Sequence, residues 1–275
     1  MTISGVSQFE EGAVSAVKSP TAAPLRSHQL SKTFTQDGKP RPVLRDLNLS
    51  VMPGELLCVT GPSGTGKTTL LRCLAGLDQP DAGTVEFQGA AIVRPPEGLA
   101  VVMQDYSRSL LPWMKVGENV ALPLRLRGVS KTRRRQEATR VLESVGLHGV
   151  EDLYPRQLSG GMQQRVAIAR AFVRPPQVLL MDEPFAAVDA QTRFALEDLT
   201  LSLLADTGVA AVLVTHDIDE AVYLGDRVLV LSGQPATVTS EIKVALGKPR
   251  NQISTRQDPQ FVALRSELLE RVLGA

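Results

Sequence analysis

The chain has 275 residues, enough for one large domain or two small ones, and its 43% apolar content is that of an ordinary globular protein. A net charge of +1 excludes a global electrostatic pull toward nucleic acid or anionic lipid. Two cysteines, Cys58 and Cys73, exclude a disulfide framework and are expected as reduced core residues in apolar runs.

Residues 1–24, rich in Ser, Ala, Gly and Pro, are expected to form a disordered N-terminal tail. No basic start followed by an apolar stretch is present there, so no signal peptide is expected. Residues 25–53 hold short β-like pieces, with Asp37-Gly38 and the prolines Pro40 and Pro42 read as turns. Phe34 either stacks on a flat ring or packs internally; its residue type leaves both open.

The run Gly61, Pro62, Ser63, Gly64, Thr65, Gly66, Lys67, Thr68, Thr69 fits the phosphate-binding loop pattern. Its glycines let successive N–H groups turn inward onto phosphate oxygens. Lys67 then reaches the β- and γ-phosphates of a nucleotide, and the Thr68 hydroxyl ligates Mg²⁺. The frame is the one the motif needs. Leu56–Thr60 reads as a buried strand before it, and Leu70, Leu71, Leu74 and Leu77 fall at helical spacing after it. A helix starting at Gly66 aims its positive end at the phosphates.

Further along, strands are expected over Thr84–Gln88 and Leu99–Met103, the second ending at Gln104. The loop that follows ends in the apolar stretch Leu110-Leu-Pro-Trp-Met114. The pattern turns helical from Val116 to Gly146, and the five basic residues within Lys131–Arg140 are read as a solvated helix face, since no aromatics interleave. Leu158–Arg165 opens a helix with Ser159 as N-cap. Gly160 and Gly161 leave its first N–H groups uncovered, a second anion site far from the first. Val178–Met181 is a buried strand delivering Asp182 and Glu183 at its carboxyl end, the edge where open α/β sheets bind ligands. Asp189 precedes a helix over about 190–204, and the strand Val209–Thr215, the longest strongly apolar run and far short of a membrane span, delivers His216 to the same edge. After a short β finish over 226–245, Phe261, Leu264, Leu268 and Val272 mark one face of a terminal helix.

The phosphate loop, Gln104, the string Leu158-Ser-Gly-Gly-Met-Gln-Gln-Arg165, the strand ending Asp182-Glu183, Asp189 and His216 stand in an order and spacing that resembles an ATP-binding cassette (ABC) transporter ATPase over roughly residues 25 to 245. The resemblance implies an α/β fold: a phosphate-loop NTPase core, in which helices flank a mixed sheet, with a small antiparallel β subdomain and an inserted α-helical subdomain at about 105–172. It leaves residues 246–275 as a C-terminal extension. It implies ATP and Mg²⁺ as ligands, with Thr68, Asp182 and Gln104 around the metal, Glu183 polarising the attacking water, and His216 on the γ-phosphate. Ser159, Gly160 and Gly161 would meet the nucleotide of a second copy of the chain, and Asp189 would lie at that seam. Phe34 occupies the place of the adenine-stacking aromatic. Two copies facing head to tail would complete two sites, closing on ATP and opening on hydrolysis.

A finer resemblance, carried by Leu110–Met114 and by Glu183–Thr192, is to importers of nitrate, sulfonates, taurine and related small anions. Importers of bicarbonate or of pyrimidine-type vitamin precursors are the alternative. The resemblance implies a peripheral position on the cytoplasmic face of the membrane. The partners would be a membrane permease, met through Tyr106–Met114, and indirectly a periplasmic or lipid-anchored solute-binding protein, with no nucleic acid. A soluble cassette ATPase acting on DNA or ribosomes would usually carry two cassettes or long coiled-coil insertions, and neither is present. A nucleotide-binding regulator without turnover is disfavoured by intact Glu183 and His216.

Overall fold

The computed structural model describes residues 23–104 and 109–274. Most of the expected tail, and Tyr106 with its neighbours in the apolar loop, lie outside the described residues. The packed chain begins two residues earlier than the sequence suggested: Ala23 and Pro24 are buried, and the Pro24 carbonyl accepts from Gln88 N at 2.9 Å.

Two sheets organise the molecule. In the first, β1 (Leu25–Gln36), β2 (Lys39–Val51), β4 (Ala82–Phe87) and β5 (Ala90–Ala91) are antiparallel in the order β2-β1-β4-β5. Asp37-Gly38 is the expected turn between β1 and β2. Pro40 and Pro42 are not turns; they pair with Thr35 and Thr33 inside β2. That strand is at the sheet edge, where a missing N–H is tolerated.

The second sheet runs β10-β9-β3-β8-β7-β6, built from β3 (Leu56–Thr60), β6 (Leu99–Val102), β7 (Val178–Asp182), β8 (Ala210–Val214), β9 (Arg227–Ser232) and β10 (Thr237–Lys243). All neighbours are parallel except β9 and β10. Strands covered on both faces read as continuous apolar runs, and alternate side chains go to opposite sides. Leu57, Val59, Leu180 and Val212 join one core with the antiparallel sheet and α1 (Lys67–Leu74), while Cys58, Leu179, Met181 and Leu213 join a second core with the remaining helices. Leu77 lies past the end of α1 and is exposed, so the apolar spacing there overruns the helix.

The helices of the second core are α2 (Val116–Arg125), α3 (Lys131–Ser144), α4 (Gly160–Phe172), α5 (Ala190–Thr207) and α6 (Ile218–Leu224), with the short turn α7 (Ser254–Gln257) and the terminal α8 (Pro259–Leu273). Lys131, Arg133, Arg135 and Arg140 on α3 are exposed, as a solvated face requires. The C-terminal extension is no appendage. Phe261 and Leu268 are buried in the same core as α6, each contributing roughly 1.5–3 kcal/mol, and Leu264 and Val272 pack against it. Arg256 of the extension pairs with Glu197 at 3.0 Å and lies 4.8 Å from the Tyr223 ring centroid. No helix among the described residues is long and apolar enough to cross a membrane.

Candidate functional site

The loop Gly61–Thr69 leaves the carboxyl end of β3 and enters α1. Gly61 has φ +149, and a Cβ there would collide with the Leu231 carbonyl oxygen of β9. Gly66, with φ +92, caps α1 and lies against Val43 of β2, whose Cγ1 would be 2.6 Å from a Cβ. Only glycine fits either position. Lys67 is 6% exposed and donates to the carbonyls of Gly61 at 2.8 Å and Pro62 at 3.0 Å, while Thr65 Oγ1 also donates to Pro62. Burial pulls the Lys67 pKa down, and the carboxylates of Glu183 and Asp182 oppose that shift.

Three strand ends converge beside the loop. At the end of β7, Asp182 is buried and accepts from Thr68 Oγ1 at 3.2 Å. Burial raises its pKa against that hydrogen bond, and neighbouring Glu183 raises it further. Glu183 has φ +42, a left-handed conformation that costs a non-glycine residue about 1–3 kcal/mol. Its N–H donates to Val214 O of β8 at 2.8 Å, which holds the turned backbone in place. Glu183 Oε2 is a junction: it accepts from Gln104 Nε2, just beyond β6, at 3.1 Å and lies 3.1 Å from His216 Nδ1, just beyond β8. Strain at a carboxylate with two polar clamps is what a reactive position looks like.

The donor set at Thr68 is made of hard oxygens, its own hydroxyl and the Asp182 carboxylate, and Gln104 reaches the neighbouring Glu183 through its amide. That suits Mg²⁺, which takes one or two protein carboxylates and fills its other positions with phosphate and water. No group of three or more His, Cys, Asp or Glu side chains able to cage a metal alone occurs among the described residues. A polyphosphate fits the loop equally well, since the N-terminus of α1 and the buried Lys67 ammonium both favour anions.

Phe34 lies on β1 opposite Arg41, on the stretch of β2 that leads to the Val43 touching Gly66. Its ring is 40% exposed, with the Lys32 ammonium 5.4 Å from the centroid.

A second cluster is different in kind. It begins at Ser159, the N-cap of α4, whose Oγ accepts from Met162 N at 3.3 Å. Asp189 caps α5 by accepting from Thr192 N at 3.0 Å. A Cβ on Gly161 would be 2.5 Å from Thr192 Cγ2, so α4 and α5 meet at their N-termini and bring Ser159, Gly160, Gly161 and Asp189 onto one surface. Among the described residues, no hydrogen bond or ion pair joins this cluster to the phosphate loop.

Sequence reasoning missed the groups behind His216. Arg193 Nη1 pairs with Asp217 Oδ2 at 3.2 Å, and Thr215 and Glu220 close the turn between β8 and α6. The spacing Asp217-x-x-Glu220 ahead of an apolar run is a helix-start signal that could have found the cap. The Arg193 pairing bridges two helices and leaves no local trace.

A family model described as "ABC transporter" matches residues 44–186. The chain is 43% identical over 238 residues to the aliphatic sulfonates import ATP-binding protein SsuB of Bacillus subtilis, covering 86% of this chain and 90% of the relative. It is 43% identical over 248 residues to the taurine import ATP-binding protein TauB of Escherichia coli O157:H7, covering 89% and 96%. Among solved structures, the dimeric post-hydrolysis state of the ATP-binding cassette MJ0796 bound to ADP and Pi superposes with a TM-score of 0.72 at 31% identity, covering 81% of this chain and 100% of that one. The chain belongs to the ABC transporter family, as one of its ATP-hydrolysing subunits.

Proposed function

We propose that two copies of this chain, facing head to tail, hydrolyse MgATP at two composite sites and so drive import of a small sulfonate-type anion. The observation that carries the catalytic part is the Glu183 junction, with Gln104 and His216 each 3.1 Å from Oε2 beside the phosphate cradle. Lys67 and the loop amides hold the phosphates, and Phe34 supports the base. Thr68, Asp182 and Gln104 would hold Mg²⁺, which when bound neutralises charge on the β- and γ-phosphates. Glu183 accepts a proton from the attacking water as its oxygen bonds the γ-phosphorus and the bond to the β-phosphate oxygen breaks. Gln104 and His216 fix the carboxylate, and His216 also reaches the γ-phosphate. Ser159, Gly160, Gly161 and Asp189 of the second copy close over the nucleotide and exclude bulk water.

The likeness to SsuB and TauB supports sulfonates or taurine as the cargo class. On the described part of the apolar loop, Leu110 is buried while Trp113 is 71% exposed. Met114 next to it lines a groove of about 420 Å³ in which Gly117, Ala121 and Ala138 stand among charged residues such as Glu118, Arg134 and Asp152. An exposed tryptophan next in sequence to a groove of mixed apolar and charged lining suits a short cytoplasmic helix of the membrane permease. That contact would hold the subunit on the inner membrane face, one step from a solute-binding protein.

Glu183→Gln tests the catalytic reading. The amide keeps the contacts of the neutral side chain but cannot accept the proton, so kcat falls by about 10²–10⁴-fold with ATP affinity retained. Size-exclusion chromatography with MgATP then shows an accumulating dimer. Wild-type turnover from an unchanged monomer would sink the assignment.

A further inference from the structure

The turn that carries His216 is built by its neighbours. Asp217 caps α6 by accepting from Glu220 N at 3.1 Å, and its own N–H donates to Thr215 Oγ1 at 3.0 Å. The Thr215 hydroxyl donates in turn to Glu220 Oε2. On the other side, Asp217 Oδ2 accepts from Arg193 Nη1 of α5 at 3.2 Å. His216 therefore hangs between two anchored residues. Beside it lies a cavity of about 60 Å³ in which Glu183, Arg193, Thr215, His216, Asp217 and Glu220 share the lining with Phe185 and Ala186, with room for a few waters. Glu220 thus shares a small chamber with Glu183 while being itself only 5% exposed.

The groups around Glu220 come from each packed element. Glu197 and Arg193 face it from α5, Asp217 from its own turn, and Cys58 from β3. The charge of Glu197 is answered by Arg256 of the C-terminal extension at 3.0 Å. Burial pushes the Glu220 carboxyl up to about 8, against the Thr215 hydrogen bond and with further upward contributions from Glu197 and Asp217. At neutral pH it is therefore mostly uncharged. None of the catalytic roles above uses it.

We propose that Glu220 is a positioning residue for the Glu183–His216 pair: across the shared chamber and through Arg193, its uncharged form leaves the turn anchored so that His216 is held against Glu183, and its charged form releases it. A charge on Glu220 draws Arg193, which faces the same chamber, away from Asp217 and so loosens the far anchor of the turn. It also sets a like charge across the chamber from Glu183. Both effects open the 3.1 Å contact between Glu183 and His216. The inference rests on the proposed roles of those two residues, and the test separates the two.

The full chain is compared with Glu220→Gln, which stays uncharged and keeps an oxygen for Thr215, and with Glu220→Ala. In the wild type, the His216 ring resonances move through an inflection near pH 8 and kcat falls severalfold across it, with KM for ATP unchanged. Glu220→Gln loses both the inflection and the alkaline fall. Glu220→Ala loses about tenfold in kcat at pH 7, as misplacement of a catalytic group does, and Glu220→Gln recovers most of it. Wild-type pH profiles in both variants, with no inflection at His216 and with Glu183→Gln inactive, would overturn the positioning role alone. A resonance inflection removed by Glu220→Gln, in a protein whose Glu183→Gln variant turns over normally, would uphold the coupling and overturn the catalytic reading it serves.

Discussion

The phosphate-loop end and the α4–α5 end of this molecule are built in opposite ways. At the loop, stretches distant in sequence meet within one chain: Lys67 on its own loop carbonyls, Thr68 on Asp182, and Gln104 and His216 on Glu183. Its polar groups are buried or tightly partnered, and at Glu183 the backbone is held in a conformation that costs energy. At the other end, Ser159 and Asp189 are exposed and do no more than cap their own helices. The first region is ready to bind. The second, on the proposed reading, offers helix N-termini to the nucleotide of a second copy. If one subunit is half of a composite site, as proposed above, the physics of each end can be broken separately.

Breaking the loop has the largest effect. Lys67→Ala removes the buried ammonium beside the phosphates, and the loss of a charge-assisted contact of about 1.5–3 kcal/mol weakens ATP binding at least tenfold and ends turnover. Calorimetric titration with MgATP and a phosphate-release assay check both. Near-normal values would remove the loop from the mechanism.

A smaller effect sharpens the contrast through stability. Burial pushes the Glu220 carboxyl up to about 8 in the folded chain, from the ordinary value of 4.5 that applies when unfolded. Between these values the folded state holds a proton that the unfolded state lacks, so stability falls as pH rises through that window and levels off beyond it. Thermal melts from pH 5 to 9 should show this decline in the wild type and a shallower one in Glu220→Gln. Parallel curves for the two proteins would contradict a buried neutral carboxyl.

The smallest effect on the isolated subunit belongs to Trp113→Ala. With the ring 71% exposed, ATP affinity should change less than about twofold, while co-purification with the permease drops. Collapse of affinity with intact co-purification would place Trp113 in the internal packing instead.

Much of the loop half was legible because its chemistry is local. Glycine spacing, a strand before and a helix after are all contained in Leu56–Leu74, and the apolar runs ending at Asp182 and His216 announce strands whose ends share an edge. The two-faced burial of β3, β7 and β8 is what makes them read as unbroken apolar stretches. What stayed hidden is non-local. Arg193 meets Asp217 across 24 residues, and Gly161 meets Thr192 between two helices. Pro40 and Pro42 suggested turns because sequence shows the lost N–H and not the edge position that tolerates it. Leu77 continued an apolar spacing that Gly76, with φ +70, had already ended. The exposure of Trp113 against the burial of Leu110 was resolved only by packing, since both are apolar residues of one loop.

If the two ends are complementary halves, Ser159 of one copy completes the site at Lys67 of the other. Ser159→Arg should bind ATP as a monomer and hydrolyse none, because its own cradle is intact and its partner's lid is blocked. Lys67→Ala should be inactive for the opposite reason. Equal mixing of the two inactive proteins gives heterodimers with one wholly intact composite site, so hydrolysis should return to roughly a quarter of the wild-type rate on random pairing. A mixture as inactive as its components, or a Ser159→Arg monomer that no longer binds ATP, would contradict the shared site.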